Sequence, residues 1–164
     1  MSSRDRRFVA VHRGGPLERG SHEMLARWAA DCAETVLPLF EKEKNRDLRP
    51  RKAIETVRAW ARGRETTGMA MKASLAAHAA ARAVKDPRAV AAARAAGQAA
   101  GSAHCADHCM GALLYMLKIQ MLSGKAPGKT LKAQIAKLPW KLRRMVREGV
   151  VARGSFFFRH PSRR

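Results

Sequence analysis

The densest group of side chains able to do chemistry is His104-Cys105-Ala106-Asp107-His108-Cys109. Read as helix, this segment puts His104 and His108 one turn apart on one side, with Asp107 one turn from His104. Tyr115 and Lys118 continue the same narrow stripe. Three chemistries compete for these residue types. Histidines at i and i+4 can share a metal ion, and His78 on another helix could add a ligand, so His78, His104 and His108 form the candidate metal set. Cys105 and Cys109 would project roughly 100° away from the histidines, so one helix cannot wrap all four around a tetrahedral ion. The metalloprotease form of this spacing has a Glu after the first His as general base; Cys105 stands there instead, which argues against that hydrolysis. A cysteine nucleophile with a histidine partner is the second reading, but adjacent helical residues do not face each other as it requires. The third is a hydrogen-bonded polar cluster of His104, Asp107, His108 and Tyr115 that fixes helix register, its cysteines packed as small hydrophobes. The third is adopted: no catalytic residue, metal or cofactor is assigned, and the chain is read as a non-enzyme.

Other motifs are weaker. Asp31 and Glu34 lack a catalytic partner set and read as an ion-pair cluster with Arg49, Arg51 or Lys52. Gly124-Lys125 and Gly128-Lys129-Thr130 resemble a phosphate loop in composition, but the required spacing is incomplete and no strand precedes it.

The elements that must position these residues are helical. Leu25, Trp28, Ala29, Cys32, Val36 and Phe40 recur at three- and four-residue steps after a candidate N-cap, Ser21, and Pro38 should kink or end that helix. Pro50 starts a second helix, which Gly63 stops. Thr66 or Thr67 caps a third over Met69–Ala83, with Ala73, Ala76, Ala77 and Ala80 inward. Asp86-Pro87 restarts the chain as N-cap and first helical residue. From Pro87 to Leu122 one long helix or two in succession are expected, the apolar second half being central and buried. A flexible loop is expected over Ser123–Gly128. Leu131, Ile135, Leu138, Leu142 and Val146 form a last stripe bent at Pro139. Phe156, Phe157 and Phe158 are either an anchor or an exposed patch.

Composition sets the fold class. Of 164 residues, 31 are alanine and only 30 are Leu, Ile, Val or Phe, which excludes a β-sandwich or barrel. Three cysteines are too few, and odd in number, for a disulfide scaffold. The sequence therefore reads as all-α: a compact, Ala-rich bundle of about five to six helices over 21–148. A short irregular arm (1–20) precedes it, with an extended piece at Phe8–Val11. A basic tail (149–164), disordered if it does not return to the core, follows.

The formal net charge is +20, split as +3 over residues 1–20, +6 over 21–124 and +11 over 125–164. The basic end suits a polyanion, with Lys137, Lys141, Arg143, Arg144 and Arg147 as candidate contacts. The longest strongly apolar run, Cys109 to Leu117, is too short for a membrane span. Arg6-Arg7-Phe8 is followed by no apolar run, so no export signal is read and a cytoplasmic location is expected.

Several segments carry a resemblance. They are Asp31-Cys32-Ala33-Glu34, Val36-Leu37-Pro38-Leu39-Phe40-Glu41, Arg49 to Glu55 with Arg58-Ala59-Trp60, and Ala77-His78-Ala79-Ala80. Ala95-Ala96-Gly97-Gln98-Ala99, Ala103 through His108, Gly111-Ala112 and Tyr115 to Lys118 continue it, and Leu138-Pro139 matches more loosely. In order and spacing they resemble the immunity proteins linked to bacterial polymorphic toxin systems. The resemblance implies an all-helical, non-enzymatic protein that binds and blocks a cognate toxin. The cysteines at 105 and 109 and the basic C-terminal quarter depart from the pattern. The alternative function is a basic helical protein that binds nucleic acid through residues 125–164.

Overall fold

The computed structural model describes residues 5–159, without the side chains of 156 and 159. Eight α-helices lie within that range: α1 (Arg19–Val36), α2 (Pro38–Glu43), α3 (Arg49–Trp60), α4 (Thr67–Ala81), α5 (Pro87–Gly101), α6 (Cys109–Leu122), α7 (Gly128–Ala136) and α8 (Trp140–Arg159). Single 3-10 turns occupy Arg6–Phe8, Val11–Arg13 and Ala106–His108. The all-α expectation holds, and the described residues contain no strand, only an isolated bridge between Ala10 and Leu17. The helix count exceeds five to six because prolines divide two of the expected helices. Pro38 becomes the first residue of α2, and Pro139 separates α7 from α8.

Local signals explain most boundaries. Thr66 caps α4 by accepting from the Met69 N–H, and Asp86 caps α5 by accepting from the Arg88 N–H. Gly63 turns at φ 72°, a left-handed conformation that suits glycine. The first helix departs from expectation: it begins at Arg19, so Ser21 is a buried residue inside α1, not its cap. In α4 the buried side is Ala70, Ser74, Ala77, Ala80 and Ala81, with Ala73 and Ala76 only half-buried.

Over 87–122 the two-helix alternative is the one observed, and the correction lies in the connection. This stretch is two antiparallel helices joined by Ser102–His108, of which the last three residues form a 3-10 turn. Glycine at 101 and the exchange to a 3-10 turn end the α5 ladder there. His104 therefore lies in the connection, and His104 and His108 do not share a helix face.

Two helices share the centre. Ten of the fourteen residues of α6 are buried, from Cys109 to Leu117 and at Ile119. The alanine helix α5 packs against α1, α2, α3, α4 and α6. Its small side chains let five neighbours approach one axis. Larger residues fill the outer spaces; Leu25, Phe40, Ile54 and Leu113 are all essentially inaccessible.

The ends also pack. Phe8, Ala10 and Leu17 are buried, so the N-terminal arm covers part of the core. Helix α8 continues past position 148 to Arg159, with Val150 buried and Phe157 and Phe158 partly buried against the core. Residues 160–164, including Arg163 and Arg164 of the expected tail, and the Phe156 side chain lie outside the described residues. Helix α7 is tied to α1 by Trp28, whose Nε1–H donates to the Gln134 carbonyl at 2.9 Å.

Asp31 and Glu34 are paired, but with Arg58 of α3 at 2.6 and 2.7 Å, not with the entry of that helix. Arg51 pairs instead with Glu41, and Arg49 with Asp47. About two turns of α3 separate these choices, and only the α1–α3 crossing decides between them.

Candidate functional site

Beyond Arg88 in its first turn, helix α5 carries two long polar side chains among its alanines, Arg94 and Gln98, at i and i+4. They meet side chains from α4 and from the start of α6. On the α6 side, the His108 Nδ1–H donates to the Gln98 Oε1 at 2.8 Å. Helix α6 comes so close that a Cβ at Gly111 would overlap the Gln98 amide. On the α4 side, the Ser74 hydroxyl donates to the Gly97 carbonyl at 2.7 Å. The His78 ring lies flat enough on α5 that a Cβ at Gly97 would stand 2.7 Å from it. Arg94 Nη1 donates to His78 Nδ1 at 3.4 Å.

Burial, and then Arg94, His108 and Arg82, hold the His78 pKa down to about 4. His78 is therefore neutral at pH 7 and can accept the Arg94 proton. The unfolded ring, near 6.5, takes up its proton first on acidification, so stability is full above pH 6.5 and falls as the pH drops toward 4. Solvent screening of this partly exposed ring limits the loss to about 1–2 kcal/mol. An NMR titration of the His78 ring should give a midpoint near 4, and urea midpoints should fall over the same interval. A midpoint near 6.5 would contradict the packing just described.

The other expected residues separate. His104 Nδ1 faces Arg13 Nη2 at 3.4 Å, on the N-terminal arm. Asp107 is buried and pairs with Arg153 of α8 at 2.5 Å. The Tyr115 ring meets Phe157 edge-on, with centroids 5.0 Å apart, and Lys118 Nζ lies 5.7 Å from the centre of the Phe157 ring. The polar stripe thus holds three neighbours, α5, the arm and α8, against α6.

His78, His104 and His108 do not converge on a point. Among the described residues, the group of three ligand-type side chains that does converge is Cys105, Asp107 and His108, with ligand atoms within 4.8 Å of one another. A cation there would have to displace two guanidiniums, since Arg13 Nη1 donates to Cys105 Sγ at 3.6 Å and Arg153 holds Asp107. The remaining thiols are poor nucleophiles: burial pushes Cys32 up to about 12 and raises Cys109 as well. All three cysteines are free.

Breaking the Asp107–Arg153 pair is expected to matter because the carboxylate side chain is only 9% exposed. Arg153→Ala should lower stability by about 2 kcal/mol in urea denaturation. Arg144→Ala, which removes a pair whose arginine is 90% exposed, should change it by less than about 0.5 kcal/mol. Equal losses in the two variants would argue against a structural role for the buried pair.

The basic quarter forms a second region. Lys137, Lys141, Arg144 and Arg147 are exposed on the α7–α8 side. Arg143 turns back instead, donating to the Leu138 and Ala136 carbonyls at 2.8 Å each, where it closes the end of α7. Sequence reading missed Trp140, the first residue of α8, which is 82% exposed. It shares one stripe with Arg144, Arg147 and Val151, at i+4, i+7 and i+11. The available signal was its position just outside the Leu138–Leu142–Val146 stripe. Arg94 was missed as well, although it and Gln98 are the only long polar residues in a run of alanines.

Among the described residues, no helix is long and apolar enough to cross a membrane. No curated protein and no solved structure matches the chain. A family model described as Imm-5 like putative immunity protein matches residues 15–145, from the end of the arm through the first turns of α8. That span holds α1 to α7, the start of α8 and the polar contacts of Arg94 and Gln98. The chain therefore belongs to the Imm-5 like putative immunity protein family.

Proposed function

We propose that this protein is an immunity protein of a bacterial polymorphic toxin system. In this reading it acts in the cytoplasm, binding a cognate toxin and blocking it by occlusion, without catalysis of its own. The observation that carries the proposal is the family match over residues 15–145. The chemistry agrees with it. The ligand-type side chains are tied into interhelical contacts, and two of the three thiols are suppressed by burial. The surface best suited to the toxin is the α7–α8 face, where exposed Trp140 sits among Lys137, Lys141, Arg144 and Arg147. Aromatic and arginine side chains dominate binding energy when a partner buries them. The positive field selects an acidic toxin surface and speeds encounter.

The test is co-expression with the product of the neighbouring gene. That product should be toxic alone, harmless with this protein, and recovered in a complex with it. Absence of toxicity together with absence of co-purification would sink the proposal.

A second reading rests on the same exposed face. A tryptophan flanked by lysine and arginine can stack a base and neutralise phosphates. Binding to DNA should then weaken steeply between 50 and 200 mM salt, by ~10³-fold or more for six or so phosphate contacts. No binding at low salt, or a signal indifferent to salt, would remove this alternative.

A further inference from the structure

Cys105, Asp107 and His108 bring a sulfur, an oxygen and a nitrogen within 4.8 Å of one another at the connection between α5 and α6. Such a set suits a tetrahedral zinc ion with one position left to water, and it suits magnesium or calcium poorly. Zinc bonds of about 2.0–2.3 Å put ligand atoms roughly 3.3–3.8 Å apart, so the group needs to close by about 1 Å. Cys105 is extended and Asp107 and His108 end a 3-10 turn, so no α-helical ladder resists that movement. Gln98 accepts from the His108 Nδ1–H, the kind of outer contact that orients a ligating imidazole.

Two guanidiniums stand where the ion would. Arg13 Nη1 donates to Cys105 Sγ at 3.6 Å, and Arg153 Nη2 donates to the Asp107 carboxylate at 2.5 Å. Together they carry the charge of one divalent cation. Arg13 is exposed and the Arg153 side chain is 40% exposed, so the buried ligands lie one movable side chain below the solvent. The three ligands fall inside the span matched by the family model, and both arginines fall outside it, on the N-terminal arm and on α8. Those two end segments also hold each other, through the Arg7–Glu148 pair and through Phe8, whose ring edge lies beside Gly149.

We propose that Cys105, Asp107 and His108 form a zinc site that exchanges the Arg13 and Arg153 guanidiniums for Zn²⁺, and that zinc thereby unclasps the arm from α8. The exchange balances. The Cys105 thiol gives its proton to solvent as the Zn–S bond forms, Asp107 contributes its carboxylate and His108 a neutral imidazole. Both arginines move into water with their charge. Giving up the buried Asp107–Arg153 pair weakens the site relative to a preformed one, which makes the ion exchangeable. The proposal does not depend on the toxin reading.

The test adds Co²⁺, then Zn²⁺, to the reduced full-length protein. Co²⁺ should bind one ion per chain and give a thiolate-to-cobalt charge-transfer band, which Zn²⁺ abolishes and Mg²⁺ leaves unchanged. Ions held only by surface histidines or carboxylates give no such band. Cys105→Ser should remove it, and Cys109→Ser, at a fully buried thiol outside the group, should keep it. Gln98→Ala should weaken binding about tenfold through loss of the outer contact. Arg153→Ala removes a competitor and should tighten binding about tenfold, a gain that a purely structural arginine would not give. In ¹⁵N NMR, Zn²⁺ should shift the Arg13 and Arg153 Nε–H signals and leave that of Arg144 in place. Circular dichroism checks the fold of each variant. No band in either the parent or Arg153→Ala, a band that survives Cys105→Ser, or zinc saturation with Arg13 and Arg153 unmoved would each overturn the proposal.

Discussion

Trp140→Ala is expected to weaken the proposed complex with a cognate toxin about thirtyfold or more while leaving the fold untouched. The argument joins exposure to position. An 82% exposed tryptophan holds almost no folding energy, so its loss should not move the melting temperature. When a partner buries the ring, truncation typically removes 2 kcal/mol or more, and each 1.4 kcal/mol is tenfold in affinity. Trp28 provides the contrast: it is 5% exposed and its indole N–H is bonded to Gln134, so Trp28→Ala should unfold the protein before it reports on binding. Calorimetric titration of the co-purified complex, with thermal melts of the free variants, separates the two effects. A Trp140→Ala protein that binds and protects like the parent would move the interface elsewhere. Charge reversal at Lys141 and Arg144 should slow association more than it speeds dissociation, and this effect should shrink in high salt.

The second large effect is at Gly97. Alanine is the better helix former by about 1 kcal/mol, so propensity alone predicts that Gly97→Ala stabilises the protein. Packing predicts the opposite. The new methyl would stand 2.7 Å from Cε1 and Nε2 of His78, closer than carbon contacts allow. Overpacking of this sort is worth about 1–3 kcal/mol and should win. The contact is with a ring held by Arg94, not with the free end of a flexible chain. Gly97→Ala should therefore lose about 1 kcal/mol net, and Gly97→Leu about 3 kcal/mol or more, in urea denaturation. The double variant Gly97→Ala/His78→Ala should recover the alanine loss, because the ring that blocks the methyl is gone. Stabilisation by Gly97→Ala in the parent protein would show that α4 is not seated on α5 as described.

Much of the fold is legible in the sequence because proline, glycine and capping residues act locally. Pro38, Pro50, Gly63, Thr66, Asp86-Pro87 and Pro139 each mark a boundary near where the helices break. The apolar stripe of Leu138, Leu142 and Val146 is buried as its spacing requires. The candidate site was legible only in composition. His108 and Gln98 belong together, yet they lie ten residues apart on two helices whose separation depends on a break that no proline announces. His104 looks like a partner of His108 only if residues 104–109 are read as helix. The 3-10 turn at Ala106–His108 sends it to Arg13 instead.

The opening cluster illustrates the division. By itself the sequence determined that this chain is a helical, Ala-rich and strongly basic protein, because helix propensity, punctuation and charge are properties of residues and their near neighbours. Only the tertiary structure decided which polar side chains meet. Asp107 finds Arg153 across 46 positions, and Arg94 is left with a buried Nε that meets no acceptor. Such pairings depend on how closely two backbones approach, and here that distance is set by glycines and alanines, the residues whose spacing pattern carries the least information about direction.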